Sequence, residues 1–377
     1  MSTAAPTPAP ARPRGRALRL LASVLLTVIL LVTVEWLVGW RATLAIWLQL
    51  GPLETLPAVL LVLLSYLLRG LRLARWMDAR PSSAPRPNVP ALAATVLILR
   101  HNLLNVLLPF RSGEAAFPLL MHQQFQVGLR ESLLLLLWLR VLDLLMLLGC
   151  GLAALLVITA GTLPALAALT AALLVTLLLR WLSGIVQVRL AAGAATRSHE
   201  ALWPDRLRGL LLQLCAHPPA GHAWWSIVML GWGNWLAKLL AYGWVLMLLL
   251  DCPPMVALLA AATGELSSVL PVHGIAGAGT YEAGILAGLI PLGIDARSGL
   301  AAAVNLHLFM LACAVLAGLI GFLPWNAARR EQPLASAPGS TLEDRPEGKL
   351  AVPPSEPRSA GNARADGHGA ARIADLE

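Results

Sequence analysis

Soluble enzymes of this length carry many charged residues, and this chain does not: Asp, Glu, Lys and Arg make up 13% of its 377 residues. Marks of several chemistries are also missing. Without a GxxxxGK[ST] phosphate loop, nucleotide hydrolysis by that route is excluded. Neither a GxSxG nucleophile elbow nor an HExxH metal helix is present. The four cysteines, Cys150, Cys215, Cys252 and Cys313, show no CxxC spacing. Three lie in or beside apolar runs, so they read as small buried hydrophobes rather than as disulfides or metal ligands. Cys215, His217 and His222 lack any standard zinc spacing. Basic residues are not interleaved with aromatics on a surface, which argues against nucleic acid as a partner. No loop outside the apolar runs is large enough to carry the paired acids of a polyprenyl-sugar glycosyltransferase. Nothing calls for a cofactor, and no enzyme activity is expected.

What is present is apolar sequence. Hydrophobic residues make up 58% of the chain and its mean hydropathy is +0.72. Several runs are long enough, at 1.5 Å per helical residue, to cross a hydrocarbon core about 30 Å thick. The fold class expected is therefore an all-α polytopic membrane protein. The net charge of +8 comes mainly from Arg at helix ends and in loops, as the positive-inside rule places it on cytoplasmic flanks. Six spans are expected, over about residues 18–40, 53–71, 132–160, 163–181, 223–250 and 298–323. Residues 1–17 and 327–377, rich in Pro, Ala and charge, read as disordered cytoplasmic tails on a membrane domain of residues 18–326. The loop leading to His222 carries Arg189, Arg197, Arg206 and Arg208 and is also expected inside.

Two stretches interrupt this pattern, NVLLPFRSGE from Asn105 to Glu114 and SVLPVHGIAGAGTYE from Ser268 to Glu282. Each has a Leu-Pro step, then glycine, then glutamate. Proline lacks the donor a helix needs and glycine carries an entropic cost, so both stretches should break helices at membrane depth. Broken backbone there must be packed in protein or line a wet cavity, which in transporters is commonly the substrate site. The limbs around the breaks, residues 91–108 with 114–126 and 255–270 with 283–292, are expected to form two re-entrant hairpins that face one another. Three spans separate them, an odd number, so the hairpins enter from opposite faces. That is the arithmetic of an inverted repeat.

Polar residues inside lipid usually face the bundle interior and pair. Arg140 and Asp143, at i and i+3, can meet on one helix face, either as a self-neutralising pair or with Arg140 also reaching a phosphate. Arg111 and Glu114 flank the first glycine, as headgroup-level anchors or as ligands. Gly277 and Gly279 allow close backbone approach, and Glu282 follows them at a helix start. Glu265 could face the same cavity, whereas Glu35 reads as interfacial. Lys238 is either a counter-ion or a snorkelling side chain. His307 is either a proton relay or a packing residue.

These marks resemble the transmembrane region of lysylphosphatidylglycerol synthetases and its stand-alone relatives, a flippase-like family of bacterial and archaeal inner-membrane proteins. The resemblance rests on Tyr66, Arg69, Arg72 and Trp76 in SYLLRGLRLARW, and on Asn105, Pro109, Arg111, Gly113, Glu114 and Pro118 in NVLLPFRSGEAAFP. It continues with Arg140 and Asp143 in WLRVLD, and with Pro271, Gly274, Gly277, Gly279 and Glu282 in LPVHGIAGAGTYE. It implies an inner-membrane protein with both termini cytoplasmic that moves or binds a lipid with a polar or charged head. Arg69, Arg72, Asn105, Arg111, Glu114, Arg140, Asp143, Gly277, Gly279 and Glu282 would contact that lipid, with Lys238, Glu265 and His307 as proton or counter-ion groups. The second motif departs from an adjacent glycine pair, with His273 before Gly274 and Ile275-Ala276 before Gly277. The alternative is a membrane partner that presents lipid to a separate lipid-synthesis enzyme. A homo-oligomer remains open.

Overall fold

The computed structural model describes residues 13–79, 89–107, 112–195, 205–216, 218–219, 221–268 and 274–323. Among these residues there is no strand, and the chain runs through twelve α-helices. They are α1 (Pro13–Leu37), α2 (Trp40–Gln49), α3 (Pro52–Asp78), α4 (Ala91–Leu107), α5 (Ser112–Phe125) and α6 (Leu129–Thr159), then α7 (Thr162–Ala195), α8 (Asp205–Ala216), α9 (His222–Leu249), α10 (Pro254–Ser267), α11 (Thr280–Leu289) and α12 (Ala296–Phe322). Five segments are long and apolar enough to cross a membrane: α3, α6, α7, α12 and the stretch Ile275–Leu292 around α11. The bent pairs α1/α2 and α9/α10 raise the number to seven. The protein is thus an all-α polytopic membrane protein.

Burial follows the logic of lipid rather than water. On α6, Leu137, Leu144, Leu148 and Leu152 are exposed while Ser132 and Asp143 are buried. Outward leucines meet acyl chains at no cost, and inward polar groups find partners. Between helices, small residues set the spacing. A Cβ at Gly70 would collide with Thr95 of α4, and one at Gly318 or Gly321 of α12 with Leu103 or Leu99 of the same α4.

Helices α3 and α9 lie side by side at the centre, where the buried Ser65 hydroxyl donates to Asn234 Oδ1 at 2.8 Å. Helix α4 packs on α3, α5 and α12, while α10 packs on α9, α11 and α6. Exchanging α3 with α9, α4 with α10, α5 with α11 and α6 with α12 carries each of these contacts onto another. The same exchange relates α5 on α6 to α11 on α12, and α6 on α9 to α12 on α3.

Three expectations need correction. The first apolar run is not one straight span over 18–40. Its helix starts at Pro13, inside the stretch read as a tail, and the chain turns by 86° between Thr27–Leu37 and Trp40–Trp47. Gly39 makes the turn at φ 86°, and the exposed Glu35 accepts the Trp40 amide at 3.0 Å. Helix α7 continues to Ala195 instead of stopping near Trp181, running through the Ser183-Gly184 step without a break. The loop before His222 contains α8, which packs on α7. Residues 1–12 and 324–377 lie outside the described residues.

Candidate functional site

The second break is built from left-handed backbone. Ala276, Gly277 and Gly279 have φ of 57°, 97° and 87°, a region in which glycine avoids the Cβ penalty. The Gly274 amide donates to the Ala278 carbonyl at 3.0 Å, and the Ile275 amide donates to Thr27 Oγ1 at 2.8 Å, tying the turn to α1. The Gly279 amide then donates to Glu282 Oε2 at 2.7 Å at the start of α11. At the first break, residues 108–111, with Pro109 and Arg111, lie outside the described residues. Helix α5 begins at Ser112, and a Cβ at Gly113 would collide with the Asn105 backbone. Glycine there lets α5 start hard against α4.

Two polar cavities lie beside these turns. One of about 400 Å³ is walled by Arg69, Asn105, Glu114, Arg140, Asp143 and Lys238, among others. A second, of about 140 Å³, shares Asn102, Asn105, Lys238, Glu265 and Ser268 with the first and adds Gly277, Thr280, Tyr281 and His307. Asn105 and Val106 before the first break and Gly274, Ala276 and Gly277 in the second line one space. The flanks of the two breaks therefore do face one another.

Charges in this chamber are paired across helices. Arg72 Nη1 donates to Asp143 Oδ1 at 2.5 Å, and Trp235 Nε1 donates to the same oxygen at 3.2 Å. Arg140 Nη2 lies 3.3 Å from Glu114 Oε1. Lys238 Nζ lies 2.6 Å from Glu265 Oε2. His307 Nδ1 lies 2.5 Å from Glu282 Oε1, and its Nε2 is 3.2 Å from the Ala276 carbonyl. A carbonyl oxygen can only accept, so the Ala276 contact places a proton on Nε2.

Arg140 and Asp143 do not pair with each other. They share a face of α6 as the spacing predicts, but α3 supplies Arg72 to one and α5 supplies Glu114 to the other. Glu282 is buried beneath the cavity wall instead of in it, holding His307 and the glycine turn. Arg72 also sits behind the wall, against a 20 Å³ void shared with Arg69, His101, Arg140 and Asp143. Lys238 pairs with Glu265, and both line the cavity. Asn234, Trp235, Ser268 and Tyr281 join the walls without having been singled out from sequence. The one available signal was the polar GNW step just before Lys238.

Beside the polar chamber lies an apolar cavity of about 740 Å³ between α6, α7, α9 and α10, lined by residues such as Ala153, Leu166, Leu236, Leu239 and Leu258. Helices α6 and α9 contribute to both spaces. Among the described residues no group of three His, Cys, Asp or Glu is placed to hold a metal ion.

Residues 20–318 match the family model described as the lysylphosphatidylglycerol synthase TM region. No curated protein and no solved structure matches the chain.

Proposed function

Because the matched region spans well over half of its length, the chain belongs to the family of the lysylphosphatidylglycerol synthase transmembrane region, and from that premise we propose that it is a lipid translocase of the bacterial inner membrane. The observation that carries this reading is a polar chamber at the meeting of two chain breaks, walled by charges inside an otherwise apolar bundle. Charged groups at that depth cost about 2.5–3.5 kcal/mol each on insertion scales. A polar lipid head crossing the bilayer needs such surroundings, while acyl chains need only an apolar surface, which the neighbouring 740 Å³ cavity offers.

In this reading the limbs α4/α5 and α10/α11 are re-entrant hairpins of an inverted repeat. The symmetric list of helix contacts supports that. So does the register of the site: Glu114 and Glu282 are each the third residue of their helices, and Arg140 and His307 are each the twelfth of theirs. Each glutamate pairs with the basic residue at the matching position, Glu114 with Arg140 and Glu282 with His307. Two equivalent half-sites on opposite sides of one chamber suit alternating access, in which one half opens as the other closes. The Arg-rich flanks support cytoplasmic termini by the positive-inside rule.

The test is headgroup accessibility in proteoliposomes holding the purified protein and fluorescent lipids, read with a membrane-impermeant quencher. The expected result is protein-dependent movement that Arg140→Ala abolishes while the variant keeps its melting temperature to within a few degrees. Full movement in a folded Arg140→Ala protein would remove that residue from the path. No movement of any lipid in the unmutated protein would overturn the translocase reading.

A further inference from the structure

Resting on the translocase reading, we propose that the chamber takes an anionic, phosphate-bearing lipid head at Arg69 and is closed to a cationic head. Four carboxylates face or back the chamber, and each already has a basic partner in the protein: Glu114 has Arg140, Asp143 has Arg72, Glu265 has Lys238 and Glu282 has His307. An ammonium ligand would have to displace one of them.

Lys238 shows how fully that position is taken. Its ammonium lies 2.6 Å from Glu265 Oε2 and 5.2 Å and 5.4 Å from the ring centroids of Trp235 and Tyr242. A carboxylate flanked by aromatic faces is the environment that would recognise an ammonium head. Here the chain's own lysine fills it. A tethered ammonium competes at high effective concentration against one that must diffuse in.

The cations are not balanced in the same way. Arg69 lines the 400 Å³ cavity and, among the described residues, makes no hydrogen bond or salt bridge. Asp143 feels the charges of Arg72, Arg69 and Arg140 together, but its Oδ1 is bonded to Arg72. Among the described residues, Arg140 Nε and Arg72 Nε and Nη2 are buried without partners. Three guanidinium groups thus meet two carboxylates, Asp143 and Glu114, with one positive charge and donor capacity left over. A phosphate supplies the missing charge and accepts from planar guanidinium forks in a geometry that suits them. Beyond Arg69 the same anion would meet Lys238, in the wall common to both cavities, and then His307 in the second.

The experiment measures binding and movement separately, with purified protein and three probes: phosphatidylglycerol, its lysylated derivative and soluble glycerol 3-phosphate. Native mass spectrometry of protein in phosphatidylcholine nanodiscs reads binding, and the quencher assay reads movement. Phosphatidylglycerol should bind, and about tenfold more weakly to Arg69→Gln, the size of a lost charge-assisted contact. The lysylated lipid should bind no better than the phosphatidylcholine background. Since Arg69 makes no hydrogen bond or salt bridge among the described residues, Arg69→Gln should melt no lower than the unmutated chain. Lys238→Gln vacates the aromatic site and should gain binding of the lysylated lipid, a second reading should Arg69→Gln fail to fold.

Preferential binding of the lysylated lipid by the unmutated protein, or undiminished phosphatidylglycerol binding in folded Arg69→Gln, would overturn the proposal. Glycerol 3-phosphate binding as tightly as the lipid would overturn the lipid as the source of the phosphate. Arg69-dependent binding with no movement would sink the translocase reading and leave this one standing. Movement of the lysylated lipid alone would do the reverse.

Discussion

Arg72 and Asp143 show what a charge demands when it lies among apolar helices. Arg72 is 2% exposed and Asp143 9%, and their contact joins α3 to α6. Removing one partner strands the other as a buried ion. Asp143→Ala should therefore cost about 3–5 kcal/mol, whereas replacing both residues with leucine should recover much of that loss. Thermal melting of the two single variants and the double variant in one detergent checks this. Equal damage from the double and from Asp143→Ala alone would show that the pair is not what links the helices. The spacing of Arg140 and Asp143 made both visible in the sequence. It could not reveal that their partners come from other helices, because each partner is 26 or more residues away along the chain.

The breaks and caps are decided within elements. Gly277 and Gly279 hold positive φ, and this requirement is written into the local sequence GIAGAG. A comparable local signal starts α12, where the Asp295 carboxylate accepts the amides of Arg297 and Ser298 at 3.0 Å. The Ser298 amide bond above all, joined by the Arg297 amide and the Ser298 hydroxyl, holds the Asp295 carboxyl below the usual carboxylate range against the opposing effect of desolvation. A carboxyl whose folded-state pKa is depressed stabilises the fold above its unfolded pKa and loses that contribution as pH falls through the folded one. Asp295→Asn should thus lower the melting temperature at neutral pH, with the gap to the unmutated protein closing in acid. A gap independent of pH would mean that the cap acts through shape alone. The 86° turn after Leu37 was missed because Gly39 sits in a run with no proline to mark it.

At the level of the whole molecule, the two halves lean on each other. The central pair α3/α9 and the pairs α4/α12 and α6/α10 all join one half to the other. The pairs Arg72–Asp143 and Lys238–Glu265 lie within halves but line the shared chamber wall or back it. Neither half should be stable by itself. Residues 1–195 and 205–377 expressed as separate tagged chains should co-purify and be degraded when expressed singly. A fragment that folds alone would contradict interdependent halves.

Composition and periodicity were enough to determine the membrane class, the approximate helices, both breaks and most of the charged residues of the site. Each of these depends on chain that is local in sequence: an apolar run long enough to span, a proline that cannot donate, a glycine that can turn. Tertiary structure alone decided which charges pair, that Glu282 supports His307 from beneath the wall, and that Arg69 makes no salt bridge among the described residues. Coulomb energy between ions in a low-dielectric bundle depends on distances of a few ångströms, and those distances are set by how the helices cross.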